Sequence, residues 1–96
     1  MIMVNNANDP HGYWRDNYAD RPYYNDFKKD IPDIDYDRDL SSAYDLGTRA
    51  RSEYGTDRDF ESSEGDLKQR WEEFKADSRL KWEQAKHAIK DAWDRN

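Results

Sequence analysis

The sequence predicts an all-α protein, a helical hairpin or three-helix bundle with an extended, aromatic-rich N-terminal arm. Three observations favour this class. Apolar residues recur at steps of three and four after residue 37, which is the helical period. All three prolines lie before residue 33, and the 96-residue chain combines 40% charged residues with four Trp, seven Tyr and three Phe. We therefore divide it into an arm at residues 1–35 and a bundle at residues 36–96.

The arm shows no sustained apolar period and holds many Asn and Asp residues. Each X-Pro step biases the preceding residue toward extended backbone, so we expect an extended arm with room for a turn of helix near residues 12–19. The alternative is a disordered tail, because a charged segment buries too little apolar surface to offset the entropy of ordering. The arm could also pack across the bundle, or two chains could pair.

The first convincing helix is predicted over residues 37–54. Gly55 follows it directly, where a left-handed cap residue is expected. Gly47 lowers helix propensity by about 1 kcal/mol relative to Ala, and we expect it to let a second helix or a ring approach closely. The residues on the apolar face of this helix are Leu40, Ala43, Tyr44, Gly47, Ala50 and Tyr54.

Two further helices are predicted after a loop at residues 56–63, in which Phe60 is a candidate anchor. Ser63 precedes Asp66 by three positions, which approximates a capping box, and a second helix then extends to about residue 76. A third helix is predicted over residues 79–95. The core-facing residues of the two helices are Leu67, Trp71, Phe74, Trp82, Ala85, Ile89, and Ala92 or Trp93.

No catalytic residue, cofactor or metal site is predicted, so we expect a protein that is not an enzyme. Alternating aspartates at residues 33–39 resemble part of a calcium loop, but Arg38 and Tyr44 occupy the positions that need Gly and Glu. His11 and His87 have no Cys or second His at ligand spacing. No activated nucleophile and no Gly-rich phosphate loop is recognisable.

The formal net charge is −6. Residues 67–96 are the segment with a positive net charge, because they contain eight basic and six acidic residues. This asymmetry favours a partner with a basic patch, or self-association. No apolar run approaches ~18 residues, so we expect no membrane insertion. No secretory signal is recognisable, and the absence of Cys fits a reducing compartment. We therefore expect a cytoplasmic protein.

Nucleic-acid or ribosome association is an alternative for the basic C-terminal third. Trp71, Trp82 and Trp93 alternate there with lysines and arginines, a combination typical of strand-binding surfaces. Six acidic residues share the segment, however, and phosphate contact depends on a positive surface. The sequence therefore disfavours nucleic acid as the partner.

Two segments lie behind a front rich in Tyr and Asp: AYDLGTRARSEYG at residues 43–55 and LKWEQAKHAIKDAW at residues 80–93. Together they resemble a family of small bacterial proteins that are regarded as stress-associated and have no established activity. The Trp- and Lys-rich helices also resemble, more weakly, short hydrophilic stress proteins of the CsbD-like type. The resemblance implies a bacterial, cytoplasmic, non-enzymatic protein.

The favoured hypothesis is a non-enzymatic, stress-related accessory protein that binds another protein or itself. Tyr and Trp dominate binding energetics at protein interfaces, so the arm aromatics are the candidate partner-binding residues. A different class of function, a solvated hydrophilic protectant, is the main alternative. The candidate partner-binding residues are Tyr13, Trp14, Tyr23, Tyr24 and Phe27.

Overall fold

A computed structural model describes residues 10–55 and 58–95, which form five α-helices and no strand. A short 3-10 helix (Tyr18–Asp20) follows the first helix, and a π-helix (Tyr36–Leu40) leads into the third. The predicted all-α class is confirmed for these residues. The helices are α1 (Pro10–Asn17), α2 (Tyr24–Asp30), α3 (Ser41–Tyr54), α4 (Phe60–Phe74) and α5 (Trp82–Arg95).

Helices α3 and α5 make the most extensive contact between elements. They approach closely at Gly47, where an added Cβ atom would lie 2.2 Å from the Ile89 carbonyl oxygen and 2.8 Å from the Ala92 Cβ atom. Only a residue without a side chain fits there, so Gly47 permits the close helix approach at a local cost in propensity.

The core consists largely of aromatic rings packed against small residues. A ring removes about 150–250 Å² from water when buried, which lets a chain with only 34% hydrophobic residues form a core. Of the ten residues predicted to pack the helices together, eight are buried, and Tyr54 and Phe74 are half-buried against the same cluster. The eight are Leu40, Tyr44, Gly47, Leu67, Trp71, Trp82, Ile89 and Trp93.

The prediction of an extended or disordered arm is wrong for residues 10–35, which contain α1, the 3-10 helix and α2. The turn of helix expected near residues 12–19 is present as part of α1, and residues 1–9 of the arm lie outside the described residues. The prolines begin and separate these helices instead of preventing them. Pro10 is the first residue of α1, a position where proline is tolerated. Trp14 and Phe27 are 3% and 2% exposed within the core, so the described part of the arm and the bundle share one hydrophobic cluster.

Helix α4 begins at Phe60, three residues before the predicted cap at Ser63. The cap is Asp59, whose Oδ1 accepts a hydrogen bond from the Ser62 N–H at 2.8 Å. Ser63 is buried inside the helix. The first turn is stabilised by Phe60, which is 6% exposed and meets the Trp93 ring edge-to-face at 6.0 Å. The burial of Phe60 therefore favours the earlier start.

Helix α5 begins at Trp82, later than the predicted residue 79, because other contacts hold the preceding segment. The Ser78 hydroxyl donates to the Asp39 carbonyl oxygen at 2.7 Å, and the Arg79 N–H donates to the Asp39 carboxylate at 3.0 Å. At the end of α3, Gly55 has a φ of 74°, a backbone conformation that favours glycine. The positive φ expected of the residue that follows α3 is therefore observed at Gly55.

Candidate functional site

A group of polar side chains joins α2 to α3 and α5. The Tyr23 hydroxyl donates to Asp91 Oδ2 at 2.5 Å and lies 2.9 Å from the Tyr44 hydroxyl. Arg21 donates to the same carboxylate through Nε at 2.6 Å and Nη2 at 3.0 Å. Burial raises the pKa of Tyr23 and of Tyr44 well above their ordinary value, and Asp91 adds to both shifts. Both tyrosines therefore stay neutral and serve as hydrogen-bonding groups.

A second polar group surrounds Asp39, whose side chain is fully buried. Arg79 donates to its carboxylate through Nε at 3.1 Å and Nη2 at 2.8 Å, and the Asp35 N–H donates at 2.9 Å. Burial pushes the pKa of Asp39 upward, but these hydrogen bonds outweigh it and hold the pKa below its ordinary value. The charged pair ties the π-helix to the connection before α5.

The five candidate partner-binding residues occupy different environments, which corrects the prediction that all of them are available to a partner. Trp14 stacks on Tyr44, with ring centroids 4.4 Å apart and planes at 3°. Trp14 and Phe27 are core residues, and Tyr23 belongs to the polar group around Asp91. Because Trp14 and Phe27 pack inside the core and the Tyr23 hydroxyl is hydrogen-bonded to Asp91, these three side chains are not available to a partner.

Accessible aromatic surface is found at Tyr13, which is 38% exposed, and at the half-buried Tyr18 and Tyr24. Tyr18 meets Tyr24 edge-to-face at 5.4 Å and packs on the buried Tyr36 at 5.2 Å. The Tyr18 and Tyr24 hydroxyls have no hydrogen-bond partner in the described part of the chain. Part of each ring and both hydroxyls therefore remain available to a partner.

We name this surface the tyrosine face and define it as Tyr18 and Tyr24 together with the exposed Asp16 and Asp20. Neither aspartate forms an ion pair within residues 10–55 and 58–95. The sequence prediction included Tyr24 but missed Tyr18. The Asp residues on both sides of Tyr18 were the available signal, because acidic neighbours favour a position at the surface.

Most cations of the basic C-terminal third are paired within the chain. Carboxylates lie within 4 Å of Arg70, Lys75, Arg79, Lys86 and Lys90. The three tryptophans of this segment are buried, at 0%, 7% and 2% exposure. Rings that lie in the core cannot stack on nucleic-acid bases.

Among the described residues, no group of three His, Cys, Asp or Glu side chains is arranged to hold a metal ion. None of the five helices combines the length and apolar character needed to span a bilayer. Comparison of the chain with protein-family models, curated proteins and solved structures gives no match.

Proposed function

We propose that this chain is a non-enzymatic, stress-related accessory protein that binds the basic surface of another protein through the tyrosine face. The observation that carries the proposal is that one short segment, residues 16–24, combines two accessible tyrosine rings with two aspartates that form no ion pair in the described part of the chain. Tyrosine supplies apolar contact and a polar hydroxyl together, and carboxylates pair with lysine and arginine.

Contacts within the chain illustrate how this region can engage cations. The Arg15 guanidinium lies 4.9 Å from the Tyr36 ring centroid, and the Lys28 ammonium lies 5.6 Å from the Tyr24 ring centroid. Arg15 also pairs with Asp37 at 2.8 Å. A cation over a tyrosine ring contributes about 0.5–1 kcal/mol at an exposed site. Arginine and lysine side chains of a partner would find similar chemistry on Tyr18 and Asp20.

The charge of the chain supports a basic partner over a second copy of itself. Its formal net charge is −6, so two copies repel, whereas a basic protein is attracted over a range of about 10 Å at moderate salt. Tyr13 is the single large hydrophobic residue classed as exposed among the described residues. That leaves little apolar surface for a self-association interface, which needs roughly 800 Å² on each partner.

Zero-length cross-linking between carboxylates and amines, followed by mass spectrometry of the native complex, tests the proposal. We expect links from Asp16 or Asp20 to partner lysines, and binding that weakens as salt is raised. Tyr24→Ala and Asp20→Asn should each weaken binding, about fivefold or more for a residue that contributes 1 kcal/mol. Both positions lie outside the buried cluster, so the fold should persist.

The matched controls are Tyr13→Ala, an exposed ring on α1, and Glu73→Gln, an exposed carboxylate on α4. Both should leave the affinity within about twofold. Cross-links that map outside the tyrosine face, or equal losses in controls and test variants, would refute the proposal. The protectant alternative predicts no cooperative thermal transition in circular dichroism, so a cooperative helical melt would reject it.

A further inference from the structure

Arg51 presents a buried nitrogen without a hydrogen-bond acceptor at the edge of a surface cleft. Its Nε is inaccessible to solvent and has no acceptor among the described residues. The guanidinium carbon lies 5.4 Å from the Trp93 ring centroid, so the ring supports one side of the group. Burying a donor without an acceptor destabilises the folded state, and such groups call for an explanation.

The cleft has a volume of about 500 Å³, which is large enough for a small organic molecule. Phe60 and Trp93, which are 6% and 2% exposed, contribute a small apolar patch to its lining, and Arg58 and Lys90 add two further cations. The two rings meet edge-to-face at 6.0 Å. The cleft therefore combines apolar surface with groups that attract an anion.

Arg51 is the cation of this lining that lacks a carboxylate partner in the described structure. Lys90 pairs with Asp94 at 2.7 Å, and Arg58 lies 3.7 Å from Asp66. No described carboxylate lies within 4 Å of the Arg51 guanidinium, although ion pairs link other arginines of the chain. An incoming oxyanion could therefore bind Arg51 without displacing an existing partner.

The acidic residues on the lining decide the class of anion. Asp59, Glu61 and Asp94 share the cleft with the three cations, so its formal charge is balanced. A phosphate with nearly two negative charges would be repelled by these carboxylates more strongly than a singly charged carboxylate. The planar guanidinium can hold a carboxylate through two parallel hydrogen bonds.

We propose that this cleft binds a small carboxylate with an apolar or aromatic body, which Arg51 holds by its carboxylate group. The body of the ligand lies against Phe60 and Trp93. The ligand can be a free carboxylic acid or the C-terminal carboxylate of a peptide, since both present the same group. The cleft shares no residue with the tyrosine face, so this proposal is independent of the proposed function.

Nuclear magnetic resonance of the full ¹⁵N-labelled chain tests the proposal directly. The probes are benzoate, an acetylated dipeptide that ends in Phe, and inorganic phosphate, each titrated at constant ionic strength. The signals to follow are Arg51 Nε–Hε and the Trp93 indole N–H. We expect benzoate or the peptide to give saturable shifts in both signals, and phosphate to bind at least about tenfold more weakly.

Arg51→Gln should weaken binding of the effective probe by about tenfold or more, because a hydrogen bond to a charged group contributes enough for that factor. Arg51→Lys, which keeps the charge and loses the planar fork, should show an intermediate loss and remains informative if the glutamine variant does not fold. The matched control is Arg49→Gln on the exposed side of α3, where Arg49 pairs with Asp45 at 3.1 Å.

Arg49→Gln should leave the affinity within about twofold. The absence of a saturable shift with both carboxylate probes, or equal losses in the position 49 and position 51 variants, would overturn the proposal. Tighter binding of phosphate than of benzoate would overturn the choice of a carboxylate. Saturation by the peptide alone would identify a chain terminus as the ligand.

Discussion

Replacing Arg79 with methionine should destabilise the fold much more than replacing Asp39 with asparagine, although both changes break the same ion pair. The reason is the unequal burial of the partners. The Asp39 side chain is 0% exposed, whereas the Arg79 side chain is 34% exposed. Arg79→Met leaves a carboxylate that water cannot reach. Asp39→Asn leaves a guanidinium that water can reach and that still bonds Asp33 at 2.9 Å.

The expected magnitudes follow from these environments. Removing one partner of a buried pair costs about 3–5 kcal/mol when the other charge stays buried. Losing hydrogen bonds to a group that remains solvated costs less, about 1–3 kcal/mol. A domain of this size has a total stability of about 5–14 kcal/mol. Arg79→Met should therefore lower the melting temperature by about 15–25 °C.

The stability of the native protein and that of Arg79→Met should also change with pH in opposite directions. In the native protein the pKa of Asp39 lies below its ordinary value, so its contribution is complete above the unfolded pKa of about 3.9 and is lost as the pH falls through the folded value. Without Arg79, burial should raise that pKa above the unfolded value. The variant should then recover stability relative to the native protein as the pH falls from 7 toward 4.

Chemical unfolding at several pH values measures both effects. Arg49→Met is the matched control, because its pair with Asp45 lies at the surface, with Arg49 60% exposed. Such a helical pair contributes about 0.3–0.5 kcal/mol. Equal costs for Arg79→Met and Asp39→Asn, or a deficit in Arg79→Met that does not change with pH, would refute the assignment of Asp39 as a buried, charged carboxylate.

Five further substitutions test the packing, each by chemical or thermal unfolding. Gly47→Ala should cost about 1–3 kcal/mol because its Cβ atom would meet the backbone of α5, whereas Gly65→Ala, with open space around it, should stabilise α4 by about 0.5–1 kcal/mol. Trp14→Ala should cost about 3–5 kcal/mol and Tyr13→Ala less than about 1 kcal/mol; equal costs would contradict the burial of the arm. Tyr23→Phe should cost about 1–3 kcal/mol because the buried Tyr44 hydroxyl and the partly buried Asp91 carboxylate lose a partner, and an unchanged melting temperature would contradict that network.

The helices of the bundle could be predicted because their apolar residues follow the helical period closely. The stripes that include Tyr44 in α3, Trp71 in α4 and Ile89 in α5 are buried as their spacing indicates. The ends of α4 were less predictable, since Ser63 and Asp59 are both acceptable caps. The choice depends on Phe60, whose burial against α5 is a tertiary contact that local sequence does not encode.

The fold of residues 10–35 and the candidate sites could not be predicted, because they depend on contacts between residues far apart in the chain. Composition made this segment resemble a tail, yet Trp14 finds Tyr44 and Arg21 finds Asp91 across the bundle. A sequence with so many acidic residues likewise gives no sign that Arg51 lacks a carboxylate partner among the described residues. Such pairings can be read only after the helices are placed.

The tyrosine face and the core are joined by a row of rings, and this has a consequence for binding. Tyr18 packs on Tyr36, which lies 6.0 Å from Tyr44 in the centre of the core. The position of Tyr18, and with it the tyrosine face that a partner would bind, therefore depends on the packing of residues 10–35 against the core. If the partner binds the folded state and not the unfolded state, a free partner concentration of 100 times the dissociation constant should raise the free energy of unfolding by about 2.7 kcal/mol. Trp14→Ala should then weaken partner binding, although Trp14 is buried in the core and is not part of the tyrosine face, because the substitution loosens the segment that carries that face.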